Sequence, residues 1–287
     1  MRFENNSQQL LEIFTNAVQV EHKTWFDEKL TKIITKKSKR ELYLTYSLIA
    51  SKIQATTLDL GVVEASALTD YLQLQHTNAQ ELVRMYLFVE VLNADSDFFS
   101  PLVANIIQVA DTSELVTFLK FLIVLPNPEY YQHTAVEALR TNIATVFDAI
   151  ALRNPYPSLY FSPEQWNQMY LKAAFMERDL TQIVAIDKMA NKALAKIISD
   201  YAHERWKASR EVLPYFWRPV SNFIDEVLIK DMQRLFASKN VLENDVAALC
   251  CYKSDNAEAT SLLAMYPELI KRIENKQLNW EAIIQSL

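Results

Sequence analysis

Glycine is almost absent from this chain, because Gly61 is the only one in 287 residues. Globular proteins contain about 7% glycine, so about 20 are expected at this length. Tight hairpins between strands use glycine where φ is positive, and the standard nucleotide-binding loops need several glycines at fixed offsets. The chain is therefore predicted to consist of helices joined by Pro, Asn, Asp and Ser turns.

The remaining composition is that of a globular protein, with 50% hydrophobic and 22% charged residues. A net charge of −6 disfavours nonspecific nucleic-acid binding, which depends on Lys and Arg over the phosphates. The start of the chain lacks the pattern of a signal peptide. The most apolar run, Leu115–Leu125, is about half the length of a bilayer span. A cytoplasmic location is expected.

The two cysteines, Cys250 and Cys251, are neighbours in sequence. Adjacent side chains on a helix point about 100° apart and do not normally form a disulfide. No C-x-x-C motif or zinc-ligand spacing is present. Both thiols are predicted to be small core residues in a reducing compartment, and no cofactor or metal site is predicted.

Apolar residues recur at helical spacing along most of the chain, in segments of roughly 12 to 16 residues with short polar connectors. Such helices usually pack as antiparallel neighbours. The predicted fold is all-α, an irregular HEAT-like stack of helical hairpins resembling an α-solenoid, with a globular helical bundle as the alternative. One helical domain over 1–287 is expected, with N-terminal hairpins over 1–125 and a part of different character over 126–287.

The middle of the chain combines long apolar stripes with prolines. One long helix is predicted from near Tyr130 through Leu152, and another over Ile186–Arg210. Between them, Pro155 and Pro157 favour extended geometry at the residues before them, which predicts a polyproline-like connector. Ser162, Pro163 and Gln165 then provide an N-cap, a first-turn proline and a capping-box partner.

Polar clusters in this region have both structural and functional interpretations. Glu137 and Arg140 have the spacing of a local ion pair, with a ligand-contacting edge as the alternative. Asp200, His203 and Glu204 resemble part of a metal site, but Lys207 occupies the position where a zinc helix would have its second histidine. The aromatic residues are expected to pack in the core, with a ligand pocket as the alternative; these are Tyr156, Tyr160, Phe161 and Trp166.

A basic stretch near the N-terminus, Lys29–Arg40, contains six cations and no carboxylate. A solvated helix end is the ordinary interpretation. An anionic lipid surface or an acidic partner is the alternative.

Several segments between Pro126 and Val220 resemble the EboA-type family of metabolite-traffic operon proteins. They include "NPEYY", "EALRTNIATVFDAIALRNPYPSLYF", "WNQMYLKAAF", "DYAHERWKASR" and "FWRPV". The resemblance implies a cytoplasmic accessory protein that handles a lipid-like or aromatic secondary metabolite, with proteins of the same pathway as partners. It carries over no catalytic residues.

Polar and aromatic positions in the resembling region are the candidate ligand-binding residues. They are Glu137, Arg140, Asn154, Trp166, Asn167, Lys172, His203, Glu204, Arg205 and Arg210. A noncovalent carrier or scaffold is the favoured function, with Arg140, Arg205 and Arg210 facing an anionic end of the ligand. The alternative is an enzyme acting on an isoprenoid-like or aromatic metabolite, with Glu137 or His203 as acid or base.

Overall fold

The computed structural model describes Phe3 and residues 6–287, and of Asn6 only the backbone. Within those residues every regular element is a helix, and no strand occurs beyond an isolated bridge between Thr57 and Asn78. The all-α prediction is confirmed. HEAT-like stacking stays a prediction, and the globular helical alternative is compatible with the structure.

The chain divides into two compact units, 1–161 and 162–287. The single domain over 1–287, with parts over 1–125 and 126–287, stays a prediction. Along the described residues, no helix has both the length and the apolar character that crossing a bilayer requires.

Unit 1 is organised around one buried helix, α5, against which five other helices pack. The α-helices of this unit, in chain order, are α1 (Asn6–Ala17), α2 (Val20–Lys36), α3 (Lys39–Lys52), α4 (Ala67–Leu74), α5 (Ala79–Ala94), α6 (Ser96–Ala104), α7 (Thr112–Phe121), α8 (Gln132–Ala138), α9 (Ala144–Ala151) and α10 (Tyr156–Tyr160). Short 3-10 helices cover Leu60–Val62, Asn105–Gln108, Leu122–Val124 and Pro128–Tyr131. Ring stacking of Tyr46 on Phe88, with centroids 4.5 Å apart, joins α3 to α5.

Unit 2 has α15 as its central helix, contacted by α14, α16, α17, α18 and the 3-10 helix Pro214–Val220. Its α-helices are α11 (Pro163–Phe175), α12 (Ile186–Met189), α13 (Lys192–Lys207), α14 (Glu226–Phe236), α15 (Val241–Lys253), α16 (Ala257–Leu263), α17 (Pro267–Glu274) and α18 (Trp280–Ser286). A 3-10 turn covers Leu180–Gln182. Cys250 and Cys251 are buried on α15, as predicted, and burial raises the pKa of the Cys251 thiol to about 12.

The long helix predicted through Leu152 is wrong, because α8 ends at Ala138 and α9 begins only at Ala144. Within the break, the Thr141 hydroxyl accepts a hydrogen bond of 3.0 Å from the Ile143 amide. Threonine side chains that bond nearby backbone groups compete with helical hydrogen bonding. Ile143, an apolar residue inside the segment predicted as one helix, is 50% exposed.

The prediction of a polyproline-like connector is also wrong at Tyr156, because this residue begins the short helix α10. Asn154 explains the turn: its Oδ1 accepts the Tyr156 amide at 3.0 Å, and its Nδ2 donates to the carbonyls of Leu119 and Ala149. Arg153, before it, has φ of 53°. The three hydrogen bonds of the Asn154 side chain therefore outweigh the preference of Tyr156, which precedes a proline, for an extended backbone.

The second long helix, predicted over Ile186–Arg210, is interrupted as well. α12 ends at Met189 and α13 begins at Lys192, because Asn191 acts as an N-cap whose Oδ1 accepts the Leu194 amide at 2.9 Å. α13 ends at Lys207, so Arg210 lies beyond it in an exposed loop. The predicted cap of α11 is confirmed, with the Ser162 and Gln165 side chains each accepting the other residue's amide.

Helix ends in this protein adopt the left-handed conformation without glycine. Five such positions are followed by the long backbone bond that closes a Schellman motif: Lys37, His76, Glu177, Ser209 and Lys276. Gly61 does not have a positive φ. Ordinary L-residues thus occupy a conformation that costs them roughly 1–2 kcal/mol each.

Candidate functional site

An open cavity of about 940 Å³ lies in unit 2. Its lining comes from residues 174–243 and includes the ends of α11, α13 and α14, the loop before Pro214 and the start of α15. This volume is at the upper end of the range found for small-molecule sites.

Aromatic rings form part of the lining. They belong to Tyr201 and Trp206 of α13 and to Phe216 of the following 3-10 helix. Trp206 stacks on the fully buried Trp217, with centroids 5.7 Å apart, and Tyr201 meets Phe216 edge-on at 5.2 Å. The rings are held by packing, and they give the cavity an apolar side.

Four cationic side chains line the same cavity: Arg205, Arg210, Arg234 and Lys239. None of them forms an ion pair with a carboxylate of the described residues. Arg205 donates from Nε to the backbone oxygen of Glu211 at 3.0 Å, which fixes the loop after α13. Three carboxylates, those of Glu177, Glu211 and Glu243, also line the cavity.

Two side-chain contacts one helical turn apart join α13 to α14, and the second of them lies at the cavity. His203 Nε2 lies 2.6 Å from Oδ1 of the buried Asp231, whose Oδ2 accepts the Ser199 hydroxyl at 2.6 Å. One turn further, the guanidinium carbon of Arg234 lies 4.1 Å from the centroid of the Trp206 ring. Asp231 stands between Ser199 and His203, so this is not the arrangement in which a histidine activates a serine.

The ten predicted site residues are divided between the two units. Three of them, Glu137, Arg140 and Asn154, belong to unit 1. Glu137 and Arg140 form the local ion pair that their spacing predicts, with Glu137 Oε2 and Arg140 Nη1 3.2 Å apart. The Asn154 side chain is engaged in hydrogen bonds to the backbone of Leu119 and Tyr156.

The other seven residues belong to unit 2, and two of them, Arg205 and Arg210, line the cavity. Trp166 is fully buried and stacks on Tyr170, and Asn167 bonds the capping residue Asn191. Lys172 is half-buried, which lowers the pKa of its amine.

His203 and Glu204 complete that set. His203 pairs with Asp231 rather than lining the cavity, and Glu204 is exposed on α13. Among the described residues, no three His, Cys, Asp or Glu side chains come together as metal ligands.

Three of the four aromatic residues in and after the predicted connector are buried in the core. Tyr156 and Trp166 are fully buried, and Phe161 is nearly so, which confirms the core-packing interpretation for these three. The Tyr156 hydroxyl donates to the carbonyl of Pro128 at 2.7 Å.

The basic stretch Lys29–Arg40 is partly neutralised within unit 1. Lys29 and Lys32 pair with Glu41, and Lys37 pairs with Asp95. These contacts lower the pKa of both carboxyl groups. The other three cations, Lys36, Lys39 and Arg40, have no carboxylate partner in the part of unit 1 that the structure describes.

Sequence reasoning missed Arg234, Lys239, Tyr201 and Trp206. A signal existed for Trp206, which stands between predicted residues in "HERWKASR". No local signal distinguished Arg234 from other surface arginines, because its neighbour Trp206 is 28 positions away in the chain and reaches it only through the packing of α13 on α14.

Fold and cavity together define an all-helical protein with a ligand-sized concave site. The chain belongs to the EboA family: the family model described as "Metabolite traffic protein EboA" matches residues 6–221. The match extends well before Pro126, where the resemblance in the sequence begins, and it ends before Arg234 and Lys239. No curated protein and no solved structure gave a match.

Proposed function

We propose that this protein is a noncatalytic carrier or accessory protein that holds a lipid-like or aromatic secondary metabolite in the unit 2 cavity. The observation that carries the proposal is the combination, in one open cavity, of fixed aromatic rings with cations that lack carboxylate partners among the described residues. Membership of a metabolite-traffic family supports it. The proposed setting is the cytoplasm, with proteins of the same pathway as partners.

Noncovalent retention suits this site better than catalysis. The two residues expected to act as acid or base under the enzyme alternative, Glu137 and His203, each have a structural partner and do not line the cavity. Apolar and aromatic surface of this kind holds a ligand body through area burial, while a few polar groups fix its orientation.

Native mass spectrometry of the full chain, exposed to an extract of the producing cells, tests the proposal. We expect a small molecule bound to the unmodified protein. Ala237→Trp places a large ring in the cavity lining and should abolish retention. Ala193→Trp changes an exposed alanine of α13 outside the cavity and should not. Equal retention by both variants would contradict this location, and an apo mass throughout would contradict the carrier function.

A further inference from the structure

We propose that the ligand of the unit 2 cavity is a monoanion with a flat, apolar body, and that Arg234 binds its anionic group. This inference rests on the proposed carrier function and specifies its ligand class. Arg234 lies outside the family match and is not among the residues predicted from the sequence.

The hydrogen-bonding groups of Arg234 are available to a ligand. Its guanidinium lies over Trp206, a contact that attracts the positive charge but accepts no strong hydrogen bond from the N–H donors. Arg234 donates to no acceptor in the described residues, and its side chain is exposed. A guanidinium in this state offers the two parallel N–H groups that carboxylates, sulfonates and phosphates accept.

The packing of α13 on α14 holds Arg234 ready for such a ligand. Trp206, over which the guanidinium lies, stacks on Trp217 and has its ring centroid 5.7 Å from that of His203. The bond from His203 to Asp231 ties the two helices together one turn away. A side chain that is already positioned loses less conformational freedom on binding.

The formal charges lining the cavity favour a single negative charge on the ligand. Four cations (Arg205, Arg210, Arg234 and Lys239) and three carboxylates (Glu177, Glu211 and Glu243) leave a net charge of +1. A monoanion neutralises that excess. Each further negative charge would face the three glutamates without a compensating cation, which Coulomb repulsion disfavours.

The helix dipole gives a competing reason for a cation at this position. Arg234 lies in the last turn of α14, where any positive charge interacts favourably with the partial negative charge of the helix end. Lysine would serve that purpose equally well, but it lacks the forked donors of arginine. The Arg234→Lys variant therefore separates the two roles.

The experiment titrates the full chain with three pyrene probes and follows their fluorescence anisotropy. The probes are 1-pyrenebutyrate, a monoanion; 1-pyrenebutanol, its neutral counterpart; and pyrene-1,3,6,8-tetrasulfonate, a polyanion. Arg234→Gln removes the charge and Arg234→Lys keeps it. Arg40→Gln, which changes an exposed arginine of α3 with no carboxylate partner in the described part of unit 1, is the control.

We expect 1-pyrenebutyrate to bind the unmodified protein more tightly than either other probe. Arg234→Gln should weaken its binding roughly tenfold, as expected for losing hydrogen bonds to a charged group. Arg234→Lys should weaken it several-fold, and Arg40→Gln should not change it. Binding of 1-pyrenebutanol should be unaffected by any of these variants.

The possible failures are distinguishable. If the butyrate and the butanol bind with equal affinity, and Arg234→Gln changes neither affinity, the proposed anionic ligand class is wrong. The carrier proposal would still stand. Tightest binding by the tetrasulfonate would overturn the monoanion, as would full affinity for the butyrate in Arg234→Lys. If none of the probes binds the unmodified protein, the cavity is not a site for apolar ligands, and both proposals fail.

Discussion

Asn167 and Asn191 exchange two amide hydrogen bonds, of 3.1 and 2.9 Å, between α11 and the residue that caps α13. The Asn191 Oδ1 that accepts from Asn167 also accepts the Leu194 amide. A residue predicted to bind ligand is thus engaged in fixing where α13 begins. Because Trp206 and Tyr201 lie on α13, the pair also fixes part of the cavity lining.

Replacing Asn167 with alanine should lower the free energy of unfolding by about 1–3 kcal/mol, since it removes two hydrogen bonds from a buried residue and leaves the Asn191 amide with fewer partners. Urea denaturation followed by circular dichroism measures the change. Gln168→Ala, at the exposed neighbouring position on α11, is the control and should cost less than about 0.5 kcal/mol. Equal effects of the two substitutions would contradict a structural role for the asparagine pair.

Lys276→Gly should stabilise the protein by about 1 kcal/mol, although glycine is usually destabilising. Lys276 follows α17 with φ of 59°, and its side chain is exposed, so glycine would remove a left-handed penalty at little cost in packing. The urea midpoint should rise. Lys271→Gly, inside α17, should lower the midpoint, because glycine within a helix costs a free energy of similar size. A lower midpoint for Lys276→Gly would show that the lysine makes compensating contacts.

Acid should weaken the contribution of the Asp187–Arg218 pair to the stability of unit 2. Arg218 donates to both Asp187 oxygens, at 2.9 and 2.8 Å, and holds the pKa of that carboxyl below its ordinary value. A carboxyl group whose pKa is lower in the folded state stabilises the fold at pH values above its ordinary pKa of about 3.9. This contribution is lost as the pH falls through the lower, folded-state pKa.

Asp187→Asn tests that pH dependence through urea unfolding between about pH 5 and pH 3. The stability difference between this variant and the unmodified protein should shrink as the solution becomes more acidic. Asp200→Asn, which changes an exposed carboxylate without an ion-pair partner in the described residues, controls for loss of surface charge. A difference for Asp187→Asn that stays constant with pH would mean that the pair does not couple protonation to folding.

Binding to an anionic lipid surface through Lys29–Arg40 remains a prediction. Lys36, Lys39 and Arg40 are the candidate contacts, because they have no carboxylate partner in the described part of unit 1. If this surface binds lipid, reversing those three charges to glutamate should abolish co-sedimentation with phosphatidylserine vesicles. The matched control reverses three exposed lysines of α12 and α13 that lack carboxylate partners in the described residues: Lys188, Lys192 and Lys196. Binding that survives reversal of the basic stretch, or is lost equally in the control, would exclude this role.

Local sequence determined the helical class and several residues of the core. The scarcity of glycine and the spacing of apolar residues act within one or two turns, and the Ser162 cap, the two buried cysteines and buried Trp166 follow from them. The Glu137–Arg140 pair is likewise local, because its residues lie three apart where α8 ends.

Tertiary structure decided where the long apolar segments break and which polar residues remain available for a ligand. Asn191 ends one predicted helix because Asn167, 24 residues earlier, holds its side chain in a capping position. Arg234 acquires a place in the cavity because Trp206, on another helix, lies under it. Periodicity carries no information about either contact, since both depend on side chains that meet only when separate helices pack.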